Sequence, residues 1–233
     1  MEPMQGGRAW IEVSRAALQS NVAYLKSKLP QDCRLMPAVK ANGYGHGGVL
    51  VARTLNSLGV DAFCVASARE GAELREQGIL GEILVLGCTQ EEEFPLLRKW
   101  NLTQTVVDYP YALTLNAYGH PLPVHIAVDT GMHRLGERSE HISDILHMFH
   151  LENLRVEGMY THLCVSDSLE KEAVSYTREQ ADEFRRIVRE LQAHGVTVPK
   201  LHMQASYGVL LHPELAEDYA RVGIALYGVL STG

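Results

Sequence analysis

A lysine at position 40 closes the apolar start of AVKANGYGHG, and glycines, Tyr44 and a histidine follow at once. A lysine is costly to bury and costs nothing in water, so its place at the end of a strand-like run invites a chemical reading. The reading is an amine that attacks a carbonyl and forms a Schiff base. Other reactive residues stand at the ends of similar runs. Leu86 closes EILVLG, while Asp129, Thr130 and Arg134 follow VHIAVDT. His162 ends VEGMYTH, Ser206 ends KLHMQAS, and Arg221 and Gly223 lie in YARVGIALYG. Singly, each has an ordinary explanation: a solvated lysine, an ion-paired arginine, a hydrogen-bonded core histidine, a tyrosine packed on a glycine turn, a helix cap. Their shared position at the ends of such runs weighs more than any one of them.

The runs alternate with segments of helical spacing. Strands are expected at 34–41, 62–67, 82–87, 103–108, 124–130, 156–162, 200–206 and 219–228. Helices are expected near 47–58, 68–77, 90–99, 110–117, 138–150, 170–194 and 213–217. In 170–194, Ala173, Thr177, Ala181, Phe184, Val188 and Leu191 form one mostly apolar stripe. A strand at 10–14 and a helix to about residue 28 precede the first unit. Eight apolar strands alternating with helices predict an α/β protein with a parallel sheet covered by helices. The expected architecture is a (β/α)₈ TIM barrel, with a doubly wound open sheet as the alternative. The open sheet wants GxGxxG after its first strand, and GYGHGG at 43–48 has another spacing.

In a barrel, the C-terminal strand ends form one rim, and all these reactive residues fall on it. Phosphate is often bound by the loops after the seventh and eighth strands. There, Ser206 offers a hydroxyl, and Gly223 and Ile224 offer backbone amides. A phosphate site opposite Lys40 suits a phosphorylated aldehyde, and pyridoxal 5'-phosphate fits. No carboxylate is placed to serve the pyridine nitrogen, whereas Arg221 is.

Composition narrows the partners. The 233 residues carry a formal charge of −7, with 46% hydrophobic and 21% charged residues. The acidic balance argues against nucleic acid or an anionic membrane as partner. No apolar run approaches the length of a bilayer span, and MEPMQGGRAW lacks the pattern of a secretory signal, so a cytoplasmic location is expected. Cys33, Cys64, Cys88 and Cys164 form no CxxC pair and read as reduced thiols. His147 and His150 are three apart on an expected helix, but no third ligand follows, and no metal is expected.

These segments resemble the fold-type III, pyridoxal-phosphate-dependent alanine racemases. AVKANGYGHG is similar to that family's cofactor-lysine motif, VDTGMHRLG to its DTGMxRxG segment, EGMYTH to its histidine strand and RVGIALYG to its closing strand. The resemblance runs from about residue 8 to the end. It implies that Lys40 carries the cofactor and is one catalytic base. Tyr44, Ser206, Gly223 and Ile224 would bind phosphate, with Leu86 also at the cofactor. His162 would lie against the pyridine ring, Arg221 would donate to its nitrogen, and Arg134 would face the phenolic oxygen and the substrate carboxylate. The implied activity is racemisation of alanine, serine or both, supplying D-amino acids to peptidoglycan.

Three departures qualify the resemblance. Where the family commonly has a carbamylated lysine supporting the arginine, this chain has Ala127. QAS at 204–206 replaces ANS. Both changes resemble the serine/alanine racemases associated with vancomycin resistance, in which the racemase module follows a membrane-embedded one, which would make this a cytoplasmic domain of a membrane protein. Finally, the family's C-terminal β-domain, which supplies a catalytic tyrosine to the neighbouring subunit, has no counterpart before the chain stops at LYGVLSTG. Residues 1–14 are then expected to be a strand that joins that domain, and 15–233 the barrel. The longer protein is expected to be a homodimer, and the barrel alone to bind cofactor but racemise poorly. Rival readings are a barrel-only pyridoxal-phosphate carrier and a decarboxylase or aldolase on the same barrel.

Overall fold

The computed structural model describes residues 10–230. Nine strands follow in chain order: β1 Arg34–Leu35, β2 Ala62–Val65, β3 Glu82–Val85, β4 Thr103–Val106, β5 Leu122–Asp129, β6 Glu137–Arg138, β7 Leu154–Tyr160, β8 Leu201–His202 and β9 Tyr219–Ala220. The helices are α1 Arg15–Lys26, α2 Lys40–Tyr44, α3 Gly48–Ser57, α4 Ala68–Glu76, α5 Phe94–Lys99, α6 Tyr109–Ala117, α7 Ile142–Met148, α8 Lys171–Ala193 and α9 Ser206–Leu211.

Every pairing is parallel, as strands joined by helical crossovers require. Strands β2, β3, β4, β5, β7 and β8 lie side by side in that order, β6 adds to β5, and β1 pairs with β9. Backbone bonds close the ring. Cys64 N donates to Pro37 O at 2.8 Å and Val39 N to Cys64 O at 2.9 Å, which joins β1 to β2. Arg221 N donates to Gln204 O at 3.0 Å, which joins the ends of β8 and β9. The result is the (β/α)₈ barrel, with β6 as an extra short strand.

Alternation along each strand divides the apolar side chains into two sets. Phe63, Val65, Ile83 and Val85 pack outward against the helices. Ala62, Cys64 and Leu84 join Met36, Ala38, Ala127, Tyr160 and Tyr219 in a separate cluster that fills the barrel. The expected stripe of α8 buries Thr177, Ala181, Phe184, Val188 and Leu191, along with Gln180 and Ile187, while Ala173 is half-buried. Each fully buried large side chain contributes about 1.5–3 kcal/mol, so α8 is fixed to the barrel mainly by this stripe.

The differences from the sequence reading have local causes. Of the eighth run only Tyr219–Ala220 is strand, because Gly223 (φ −120°, ψ −103°) turns the chain into a 3₁₀ turn at Ile224–Tyr227. Ser206 begins helix α9, where a strand end was expected, and the segment expected as a helix at 213–217 is a 3₁₀ turn, Pro213–Leu215. Residues 10–14 pair with no strand among the described residues, and Trp10 and Ile11 are 75% and 74% exposed. A lone extended segment has no partner for its backbone groups. The rest of the expected first segment, 1–9, lies outside the described residues. Among those described, no helix is long and apolar enough to cross a membrane.

Candidate functional site

The site begins with an unusual turn. After β1 the chain does not continue as strand to Lys40. It enters α2, where Ala41 (φ 51°), Asn42 (φ 53°), Gly43 (φ 62°) and Tyr44 (φ 53°) are left-handed in succession. L-residues resist this conformation by roughly 1–2 kcal/mol each, so the turn persists only because its surroundings hold it. Asn42 Oδ1 accepts the Gly48 amide at 2.8 Å, and Gly43 N donates to Val39 O at 2.8 Å. A Cβ on Gly43 would stand 3.2 Å from Gly48 backbone atoms. The turn leaves Lys40 half-buried at the barrel mouth and carries Tyr44 over to Gly223.

The mouth encloses a cavity of about 540 Å³. Its walls include Lys40, Tyr44, Leu86, Arg134, His162, Ser206, Arg221, Gly223 and Ile224. These nine residues, all singled out from the sequence, thus border one space. Asp129 and Thr130 stand beside it. Asp129 accepts the amides of Gly131 and His133 and lies 3.0 Å from His133 Nδ1; burial works against its charge, but these bonds hold its pKa below the ordinary value.

Ser206 Oγ accepts the amides of Gly223 at 2.9 Å and Ala225 at 3.2 Å. A Cβ on Gly223 would stand 2.9 Å from the Tyr44 hydroxyl, so glycine keeps the gap between Ser206 and Tyr44 open. Two hydroxyls and backbone amides around a clear gap suit a phosphate. The charges agree: Lys40, Arg134 and Arg221 line the cavity against one carboxylate, Asp167. The chemistry of these donors, an amine, two hydroxyls and two guanidinium groups around one cavity, fits a phosphorylated aldehyde such as pyridoxal phosphate.

Arg221 is buried and has no carboxylate partner among the described residues. Nη2 donates to Thr161 O at 2.7 Å, and Nη1 to His202 O at 3.1 Å and His202 Nδ1 at 2.6 Å, while the guanidinium lies 4.6 Å from the Tyr160 ring centre. Burial lowers its pKa below the ordinary arginine value, an effect offset in part by Tyr160 and Cys64. His162 Nδ1 lies 3.3 Å from Arg221 Nη2. Burial, then the charges of Arg221, Arg134 and Lys40, push His162 down to about 3, so its imidazole is neutral.

Behind Arg221 a polar chain crosses the barrel. His202 Nε2 lies 2.9 Å from His125 Nδ1, and His125 Nε2 lies 3.0 Å from Glu82 Oε1, close but poorly aligned. Glu82 also takes Tyr219 Oη at 2.9 Å and Lys200 Nζ at 3.2 Å. Burial alone would raise the Glu82 pKa, but His125, Lys200 and Tyr219 hold it at about 2. Because a guanidinium can only donate, His202 Nδ1 accepts from Arg221, which leaves His202 Nε2 to carry the proton toward His125 Nδ1. The sequence reading missed this chain. Its signal was a polar residue inside each of three otherwise apolar runs.

Ala127 is buried among Tyr160 and Cys64, and Arg134 makes no ion pair or hydrogen bond among the described residues. Also missed were Cys64, Cys164, Ser166 and Asp167, which line the cavity. Away from it, Glu137, His141 and Asp144 bring ligand atoms within 4.8 Å of one another. Glu137 already accepts the amides of Tyr109 at 2.7 Å and Arg138 at 3.0 Å, which pins β6. His147 and His150 are exposed at the end of α7 and beyond it.

Fold and site together define a (β/α)₈ barrel with a basic, lysine-bearing cavity at the C-terminal ends of its strands. The chain belongs to the alanine racemase family: the family described as "Alanine racemase, N-terminal domain" matches residues 13–231. It is 40% identical over 224 residues to an amino-acid racemase of Enterococcus faecalis, and 38% identical over 224 residues to a serine/alanine racemase of Enterococcus gallinarum. Each alignment covers 96% of this chain and 32% of that protein. The chain therefore spans about a third of those relatives' length. Among solved structures, alanine racemase of Clostridium difficile in complex with cycloserine superposes with a TM-score of 0.88 at 34% identity, over 93% of this chain and 60% of the other. The alanine racemase of Bacillus anthracis with bound L-Ala-P gives 0.88 at 29% identity, over 96% of this chain and 58% of that one.

Proposed function

We propose that this barrel holds pyridoxal phosphate on Lys40 and is the cofactor-binding part of a racemase for alanine, serine or both. The observation that carries the reading is the convergence of Lys40, Arg134, Arg221, Ser206 and Gly223 on one cavity beside a neutral histidine. When bound, pyridoxal phosphate supplies an electron-withdrawing ring that makes the α-proton of an attached amino acid removable. Tyr44, Ser206 and the Ile224 amide would hold the phosphate end, beside Gly223, whose own amide is given to Ser206 Oγ. Leu86 and His162 pack beside the ring, His162 without adding charge. Arg221 presents an N–H to the ring nitrogen and does not give up its proton there, because its pKa is far too high.

Arg134 would orient the substrate carboxylate. The Lys40 amine would move the α-proton on one face. The proton on the other face is assigned to a further domain, in a longer homodimeric protein whose barrel faces the cytoplasm. The kinship with a serine/alanine racemase supports serine as well as alanine as substrate, with D-amino-acid supply to peptidoglycan as the role. The test is the absorption spectrum of the protein with pyridoxal phosphate, followed by borohydride reduction and peptide mapping. A visible band fixed on Lys40 is the expected result, and label scattered over surface lysines would refute the reading. The same preparation is then assayed for interconversion of L- and D-alanine and of L- and D-serine.

A further inference from the structure

Helix α4 begins with Ser67, whose Oγ accepts the Glu70 amide at 3.3 Å. A serine cap with glutamate three residues on usually closes a reciprocal box, the glutamate returning to the amide of the cap residue. Here the carboxylate goes elsewhere. Glu70 Oε2 accepts the amide of Ala66 at 2.7 Å, at the end of β2, and Glu70 Oε1 accepts the amide of Ala41 at 2.8 Å. Both lengths are those of charge-assisted bonds. The Ala41 amide belongs to the peptide unit that leaves Lys40, and Ala41 is the first of the four left-handed residues. Ala66 lines the same cavity as Lys40. One carboxylate therefore ties the second strand to the strained turn at the point where the lysine side chain departs.

We propose that Glu70 is a positioning residue: by fixing the Lys40–Ala41 peptide it aims the Lys40 amine into the cavity. This rests on Lys40 being the cofactor lysine. Without the carboxylate, the Ala41 amide loses its acceptor and the left-handed turn loses a restraint. The lysine then samples directions from which a carbonyl in the cavity is out of reach. A side chain already held in its bonding direction loses less conformational freedom when it bonds, and orientation is what this clamp supplies.

The experiment measures equilibrium occupancy of Lys40 by pyridoxal phosphate, from visible absorbance and borohydride mapping, in the protein at its natural length. E70A is expected to weaken occupancy about tenfold, and E70Q, which keeps one acceptor oxygen, about threefold. S67A removes the cap from the same helix but leaves the clamp. It is expected to lower the unfolding midpoint while changing occupancy less than about twofold. Equal losses in E70A and S67A would mean that Glu70 acts only through the helix, and would overturn the proposal. So would an E70Q protein that binds like wild type, which decides the matter even where E70A does not fold. Wild-type protein with no label on Lys40 defeats the cofactor reading and this inference together, whereas a labelled wild type with indifferent Glu70 variants defeats the inference alone.

Discussion

The guanidinium of Arg221 gives its donors to the carbonyls of Thr161, His202 and Met203 and to the ring nitrogens of His202 and His162, and no anion among the described residues offsets its charge. A lysine cannot reproduce that fork, so R221K leaves buried carbonyls unpartnered and is expected to lose about 2 kcal/mol of stability in urea unfolding. R221E is expected to raise transamination relative to racemisation, measured as pyruvate formed per turnover of alanine. His162 titrates at about 3 in the folded chain, against 6.5 for a free histidine. On acidification the unfolded chain takes up this proton first. The stability is thus fully present above pH 6.5 and lost progressively toward pH 3, at up to about 1.4 kcal/mol per pH unit. Glu82, held at about 2 against 4.5, adds a loss of the same sign below pH 4.5. Urea midpoints between pH 4 and 7 are expected to fall with pH, less steeply in H162N. Under the proposed function, Ser166 offers a cavity hydroxyl that a serine substrate could use. It is 5% exposed, lines the cavity, and its hydroxyl makes no hydrogen bond among the described residues. S166A is expected to cut kcat/KM for L-serine about fivefold and to leave L-alanine unchanged, as removal of one neutral hydrogen bond would.

At the scale of elements, α2 is the piece most sensitive to backbone chemistry. G43A combines φ 62° with a Cβ 3.2 Å from Gly48, and is expected to cost more than about 1 kcal/mol by chemical denaturation. The glycines of AVKANGYGHG and its Asn42 announced a turn, but not a run of left-handed residues, because Ala41 and Tyr44 give no sign of a left-handed backbone. Strand positions were legible because fully buried parallel strands read as apolar runs, and α8 because its stripe follows the helical period. The end of the eighth run was not legible: after Arg221, VGIALYG carries no charged residue, and the break at Gly223 is a matter of backbone angles. The rim residues were legible through their common place after strands. Glu70 and the Glu82–His125–His202 chain were not, because Glu70 reaches Ala41 across 29 positions and His125 reaches His202 across 77, and these groups meet only when the barrel closes.

At the scale of the molecule, an acidic protein of net charge −7 keeps three cationic side chains and one carboxylate around a single recess. Low-dielectric walls concentrate that local field against the outer charge. Salt reaches such a mouth, so raising ionic strength from about 50 mM to about 500 mM is expected to weaken pyridoxal phosphate capture severalfold in an equilibrium titration, as the Debye length shrinks.

The ring itself closes through its shortest strands. β1, β8 and β9 are two residues each, whereas β5 and β7 run to eight and seven. Lys40 follows β1, Ser206 follows β8, and Gly223 follows β9, so a molecule touching all three spans the seam. Loading the recess would then act as a staple across the joint most prone to breathing. Amides of Met36, Ala38 and Arg221 would become slow to exchange in heavy water once the staple is in place, while those in the long pairing of β5 with β7 would change little.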